Sequence, residues 1–185
     1  MSHGADGYRR YLAGDDKAVA EIIEAYRAGL ELFLQQMTGD ENTAEELTQE
    51  TFVFLFTRKP HYKPTATFKT WLYTIAKNRA LRYLKKQKRT VALSFEDALL
   101  IPDIGPTVEE RYFATETAHH VHTVMGKLKP EYREILWLTY FEGLSNKESA
   151  AVMGKSVHGI EVLVSRARQA LKNQLVKDGF ADEIQ

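Results

Sequence analysis

Apolar positions recur at helical spacing along almost the whole chain. Val19, Ile22, Ile23, Tyr26, Leu30, Phe33, Leu34 and Met37 fall three and four apart, one stripe on a helix of about five turns. Thr38-Gly39-Asp40 ends it. TAEE follows with capping-box spacing, Thr43 as N-cap and Glu46 reaching back. The helix it opens runs through LTQETFVFLF, whose second half is apolar on most sides and is expected to be deeply buried. Residues 58–66 contain Pro60 and Pro64 and no period, which predicts a loop. A third long helix is expected over 67–87. Phe68, Trp71, Leu72, Ile75 and Ala76 would face inward, and Lys69, Lys77, Arg82, Lys85 and Lys86 outward.

From 90 to 106 the pattern stops. SFEDALLIPDIGP is acidic and aperiodic and reads as a linker, although the run Ala98–Ile101 could dock onto something. A second set of helices begins with the capping-box pattern Thr107–Glu110 and runs to about Leu128. Pro130 suits the first turn of the next helix, which buries Ile135, Leu136, Leu138 and Trp137, with Gly143 at its end. Ser145 and Glu148 form a third capping box, opening a short helix through Met153. Gly154-Lys155-Ser156 is a turn, and a last helix covers 156–176. The expected fold is all-α: two small helical domains, 1–89 and 107–185, joined by a flexible linker, 90–106. The C-terminal domain has helix-turn-helix layout: a capped short helix, a tight turn with Gly154 at positive φ, and a longer helix whose N-terminus would enter a DNA major groove. Ala150 is small where the two helices would cross. An ordinary helical hairpin is the alternative.

Composition adds exclusions. The 185 residues include no cysteine, which removes disulfide scaffolds, thiol catalysis and thiolate-zinc sites. No apolar window is long enough to span a membrane, and the N-terminal stretch lacks the apolar region of a secretory signal. A cytoplasmic protein without membrane insertion is expected. Paired hydrolytic carboxylates, a Gly-rich phosphate loop and a nucleophile triad are not visible, so neither enzymatic chemistry nor a cofactor is expected.

The formal net charge of zero conceals an uneven distribution. Residues 58–89 carry eleven basic and no acidic side chains, whereas residues 1–57 carry four basic and eleven acidic ones. Residues 127–177 are again basic, nine against five. A like-charge block of this kind is relieved by solvent or by a polyanion. Tyr62, Phe68, Trp71, Tyr73 and Tyr83 lie inside the first block, and cations interleaved with rings suit phosphate contact with base stacking.

Four stretches in order carry a family resemblance: AEELTQETF (Ala44–Phe52), TFKTWLYTIAKNRALRYLKKQKR (Thr67–Arg89), LKPEYREILWLTYFEGLSNKESAAVMGKS (Leu128–Ser156) and VSRARQALK (Val164–Lys172). The chain resembles bacterial RNA polymerase sigma factors of the extracytoplasmic-function (ECF) group. The resemblance implies a non-enzymatic factor that directs core RNA polymerase to promoters and assists their melting. It implies that Glu45, Glu46, Gln49 and Glu50 meet the polymerase, whose β′ clamp helices and β subunit are the expected contacts. The loop 60–67, with His61, Tyr62 and Lys63, would form a pocket for an unpaired −10 base together with Asn78. Lys77, Arg79, Arg82, Lys85 and Lys86 would hold phosphates there. Ser156, His158, Glu161, Ser165, Arg166 and Arg168 would contact −35 DNA, with Lys172 within reach of a phosphate. The linker would lie along the polymerase near the RNA path, and an anti-sigma factor is the implied regulator.

Two departures stand out. Gly159-Ile160-Glu161-Val162 occupies the place of a more polar, basic run, and Ser149 stands where an aliphatic residue is usual. Glu161 would repel phosphate but could accept a hydrogen bond from a cytosine amino group, which implies an unusual −35 preference or a weaker dependence on that element. His119, His120 and His122 form a cluster, two of them on one helical face. Surface histidines are the plain reading, and metal ligation lacks a suitably spaced carboxylate. A helix-turn-helix regulator without a polymerase role is the runner-up; a metalloenzyme built on the histidines is a distant third.

Overall fold

In the computed structural model, residues 3–91 and 116–179 are described. The chain divides into two compact units, Met1–Thr107 and Val108–Gln185. Every regular element among the described residues is a helix. Residues 92–106 of the expected linker, with its Ala98–Ile101 run, and the Thr107–Glu110 cap lie outside the described residues.

The N-terminal unit contains α1 (His3–Leu12), α2 (Lys17–Thr38), α3 (Glu41–Arg58) and α4 (Phe68–Val91). Helix α1 has no counterpart in the sequence reading. Tyr8 and Tyr11 carry its buried face, while Arg10 pairs with Asp6, Asp15 and Glu21 on the other side. Helix α2 follows the expected stripe, with Ile22, Leu30, Phe33 and Leu34 at 2% exposure or less. It stops at Gly39, which adopts φ 73° and returns its N–H to the Gln35 carbonyl.

The cap of α3 differs from expectation. Asp40, not Thr43, is the N-cap, and its carboxylate accepts the Thr43 N–H at 2.7 Å. An acceptor carrying full negative charge complements the helix N-terminus better than a hydroxyl, so the helix begins earlier and Thr43 falls within its first turn. The second half of α3 is also less buried than expected: Phe52 and Leu55 enter the core, but Val53 is 60% exposed.

Helix α4 keeps Phe68, Leu72 and Ala76 inward and adds Thr70, Tyr73 and Ala80, while Trp71 and Ile75 are only half-buried. Lys77, expected on the outer face, is buried at 6% exposure. The inward arc is therefore rotated toward Tyr73 and Lys77, and the long Lys77 stem can cover apolar surface.

The C-terminal unit contains α5 (Glu116–Met125), α6 (Pro130–Leu136), a π-helical turn (Trp137–Phe141), α7 (Asn146–Met153) and α8 (Val157–Lys177). Helix α5 ends at Met125 rather than near Leu128. The π turn was not anticipated; a single wide turn of this kind inserts one residue into a helix. It is held by the fully buried Trp137, whose ring stacks on Phe141 with centroids 4.5 Å apart and whose indole N–H donates to Glu142 at 3.1 Å. Gly143 then turns the chain at φ 67°.

Candidate functional site

The basic block of the sequence resolves into a loop and a stripe. The loop leaves α3 through Lys59, a non-glycine residue at φ 45°, and runs to Phe68. His61 and Lys63 are exposed, but Tyr62 is half-buried. Its ring lies 5.1 Å from Trp71 and edge-on to Phe68 at 5.8 Å, and its hydroxyl donates to the Ala66 carbonyl at 2.6 Å. Offset and tilted ring contacts at these distances are favourable. From Trp71 onward, Asn78, Arg82 and Lys85 follow at i+7, i+11 and i+14, one helical face. All three are exposed. The half-exposed rings and loop thus stand at one end of a polar, cationic stripe.

Two expected members depart from it. Lys77 is turned into the core. Arg79 points toward α3, donating to Glu50 at 3.4 Å and placing its guanidinium 4.6 Å from the Phe54 ring centre.

A second feature is a depression on α3. Glu46, Gln49, Glu50, Val53, Phe54, Thr57 and Arg58 line it with Arg79. Three of the residues expected to meet the polymerase are here. Glu45 instead is engaged by Arg27 at 3.3 Å and by the Gln49 amide at 3.1 Å. The sequence reading missed Val53 and Phe54, although Glu46, Gln49, Glu50, Val53 and Thr57 recur at i, i+3, i+4, i+7 and i+11, the signature of one face. Near Arg27 and Glu45, Glu31 on α2 is 3% exposed, lies 3.5 Å from Arg27, and burial lifts its carboxyl above the ordinary range.

The helix-turn-helix forms as expected. Ser145 and Glu148 make a reciprocal capping box, Gly154 turns the chain at φ 64°, and the Ser156 hydroxyl accepts the Gly159 N–H at 3.0 Å. Ala150 is buried, and Ser149 is fully buried. The expected DNA-contact residues fall on two faces of α8. Glu161, Ser165 and Arg168 line one depression with Asn146, Gln169 and Lys172. Ser156 and Arg166 line another with Glu131, Tyr132 and Lys155, where Lys155 and Glu131 pair at 2.7 Å. His158 is 86% exposed and its Nδ1 lies 3.7 Å from the Glu161 carboxylate. The Arg168 guanidinium also lies 5.5 Å from the Tyr140 ring centre.

Among the described residues, no group of three His, Asp or Glu side chains is arranged to hold a metal ion. His122 of the histidine cluster is buried edge-on against Trp137 at 5.8 Å; the side chains of His119 and His120 lie outside the described residues. No helix of the described residues is long and apolar enough to cross a membrane.

Two family models match the chain: Sigma-70 region 2 over residues 22–90, and Sigma-70, region 4 over residues 119–171. The ECF RNA polymerase sigma factor SigM of Bacillus subtilis (strain 168) is 32% identical over 165 residues, covering 89% of this chain and 99% of the relative. The chain belongs to the ECF RNA polymerase sigma factors. SigE of Mycolicibacterium smegmatis is 29% identical over 168 residues, and the match spans 89% of this sigma factor and 65% of that longer relative. The fold is shared with the sigma factor RpoE of Bartonella quintana, solved in complex with the anti-sigma factor NepR, at a TM-score of 0.70 and 24% identity over 84% of this chain and 95% of that one. In the sigma factor described here, the region 2 match takes in α2 from Ile22 onward, α3, the loop and α4 to residue 90, and α1 lies outside it. The region 4 match covers most of α5, all of α6, the π turn and α7, and α8 as far as residue 171.

Proposed function

We propose that this ECF sigma factor directs core RNA polymerase to promoters with three separate surfaces. The depression on α3, with Glu46, Gln49, Glu50, Val53 and Phe54, receives the polymerase. Its mixture of carboxylates and exposed apolar groups suits a basic, partly apolar helical partner such as the β′ clamp helices. The loop 60–67 and the Asn78–Arg82–Lys85 stripe take the −10 strand once it is single. Helix α8 reads −35 DNA in the major groove through His158, Glu161 and Ser165, with Ser156, Arg166, Arg168 and Lys172 toward phosphates.

The observation that carries the −10 assignment is the continuity of half-exposed rings with one cationic helix face. An unpaired base stacks on an aromatic ring, and its backbone follows a line of positive charge. A DNA-binding regulator without a polymerase role would leave both that stripe and the α3 depression without a use. Because NepR binds the fold-related RpoE, an anti-sigma protein is the proposed regulator here, competing for one or more of these surfaces.

The test is transcription in vitro with core polymerase on a randomised promoter library. Selective initiation with defined −10 and −35 motifs is expected. Substitution of His61 and Asn78 should alter the −10 motif, and substitution of Glu161 the −35 motif. Initiation no different from core polymerase without the factor would refute the reading.

A further inference from the structure

Helix α1 lies outside the region 2 match, yet it packs against the loop assigned above to the −10 strand. Its docking is unusually close. A Cβ at Gly4 would stand 2.4 Å from the Tyr26 hydroxyl and 2.5 Å from a Phe68 ring carbon, so α1 approaches α2 and α4 nearer than a side chain permits. Two tyrosines then reach from α1 to the backbone on either side of the turn out of α3. Tyr11 donates its hydroxyl to the Phe56 carbonyl, one of the last carbonyls of α3, which lack partners within the helix. Tyr8, 52 residues distant in sequence, donates to the Pro60 carbonyl at 2.8 Å.

Between these two anchors sits Lys59 in the left-handed region, a conformation unfavourable for an ordinary side chain. Its ammonium lies 4.9 Å above the Tyr11 ring. The ring of Tyr8 is 1% exposed and stands 5.4 Å from Trp71 and 5.7 Å from Phe68, the rings on which Tyr62 rests. Burial, with Tyr11 beside it, pushes the Tyr8 hydroxyl up to about 12, so it remains a donor at any working pH.

We propose that Tyr8 is a positioning residue for promoter opening: through the Pro60 carbonyl and the Trp71 ring it fixes the path of the loop 60–67, and α1 is the strut that holds it there. The proposal rests on the assignment of that loop to the −10 strand. Tyr8 touches no DNA; it sets where His61, Tyr62 and Lys63 stand when a strand arrives.

Tyr8→Phe keeps the ring and removes only the hydroxyl. The full-length variant is bound to core polymerase and titrated with a fluorescent single-stranded oligonucleotide carrying the non-template −10 strand of a promoter recovered from the library. Affinity is expected to fall about three- to tenfold. Discrimination between the cognate oligonucleotide and single-base substitutions should weaken at the bases that His61→Ala and Tyr62→Ala also disturb. Assembly with core polymerase should stay within about twofold of the parent. Gly4→Val, which displaces α1 without altering Tyr8, should reproduce the same selective loss. Unchanged oligonucleotide binding in Tyr8→Phe, where the loop variants do lose it, would overturn the role of Tyr8 and leave the loop assignment standing. Full binding by the loop variants as well would overturn both. A parallel loss of polymerase assembly and DNA binding would make Tyr8 a general stabiliser and also end the proposal.

Discussion

Arg79 of α4 donates to Glu50 of α3 at 3.4 Å while its guanidinium faces Phe54, so a residue expected to hold a phosphate lines the wall of the α3 depression. Its side chain is 22% exposed and that of Glu50 62%. A pair so open to solvent contributes little to stability, of order 0–1 kcal/mol, and its effect should appear in binding. Arg79→Ala is expected to weaken assembly with core polymerase severalfold and to leave affinity for the single-stranded −10 oligonucleotide within about twofold. Arg82→Ala, exposed on the stripe, should do the reverse. Fluorescence titrations of the two variants against the two partners would decide it; equal effects of Arg79→Ala on both would return that residue to the DNA.

Ser149 is fully buried, and its hydroxyl has no hydrogen-bond partner among the described residues. A buried unsatisfied polar atom costs about 1–3 kcal/mol. Ser149→Ala removes the atom without adding bulk and is expected to raise the unfolding free energy of the C-terminal unit in the full-length chain, read from denaturant titration, by up to about 1 kcal/mol. A loss of stability would show that the hydroxyl is satisfied in solution.

Glu31 yields a pH-dependent signature. Its folded carboxyl titrates above the ordinary value chiefly because burial disfavours the charge, with Arg27 only partly offsetting this. For an acid raised on folding, the folded state binds more protons, so the charged form penalises stability at neutral pH and the penalty fades as pH falls through the raised folded value and then the ordinary one, 4.5. Glu31→Gln should therefore melt at a higher temperature than the parent at pH 7, with the difference shrinking toward pH 4. A gap that is constant with pH would mean that packing, not ionisation, separates the two.

Glu161 stands on the α8 face that also carries Ser165 and Arg168. Glu161→Lys exchanges an acceptor for a donor at a base edge and changes the local charge by two. The −35 motif recovered from the library should change, and the salt dependence of promoter binding should steepen by roughly one to two counterions. An unaltered motif would remove Glu161 from base reading.

How much was legible varied by element. The stripe from Val19 to Met37, the Ser145–Glu148 box and the Gly154 turn were readable because each is a local pattern completed within one or two helical turns. The residue that caps α3 was misread because two acceptors compete within three positions, and Asp40 wins on charge. Helix α1 was missed since its apolar content is small; two glycines and two tyrosines make sense as a packing face only once α2 and α4 are beside it. The cationic stripe was half legible: periodicity placed Arg82 and Lys85 outward, but Lys77 and Arg79 lie at the flanks of the face, where a rotation of a fraction of a turn decides between core, solvent and a neighbouring helix.

By itself the sequence determined an all-helical chain in two units, where most of its helices begin and end, which block carries the positive charge, and the family whose motifs it bears. Such properties depend on neighbours a few positions apart and on composition. Only the tertiary structure decided that Arg79 belongs with Glu50, that Lys77 is buried and that Tyr8 holds the Pro60 carbonyl. Those contacts join residues far apart in the chain, and only the packing of one helix on another fixes them.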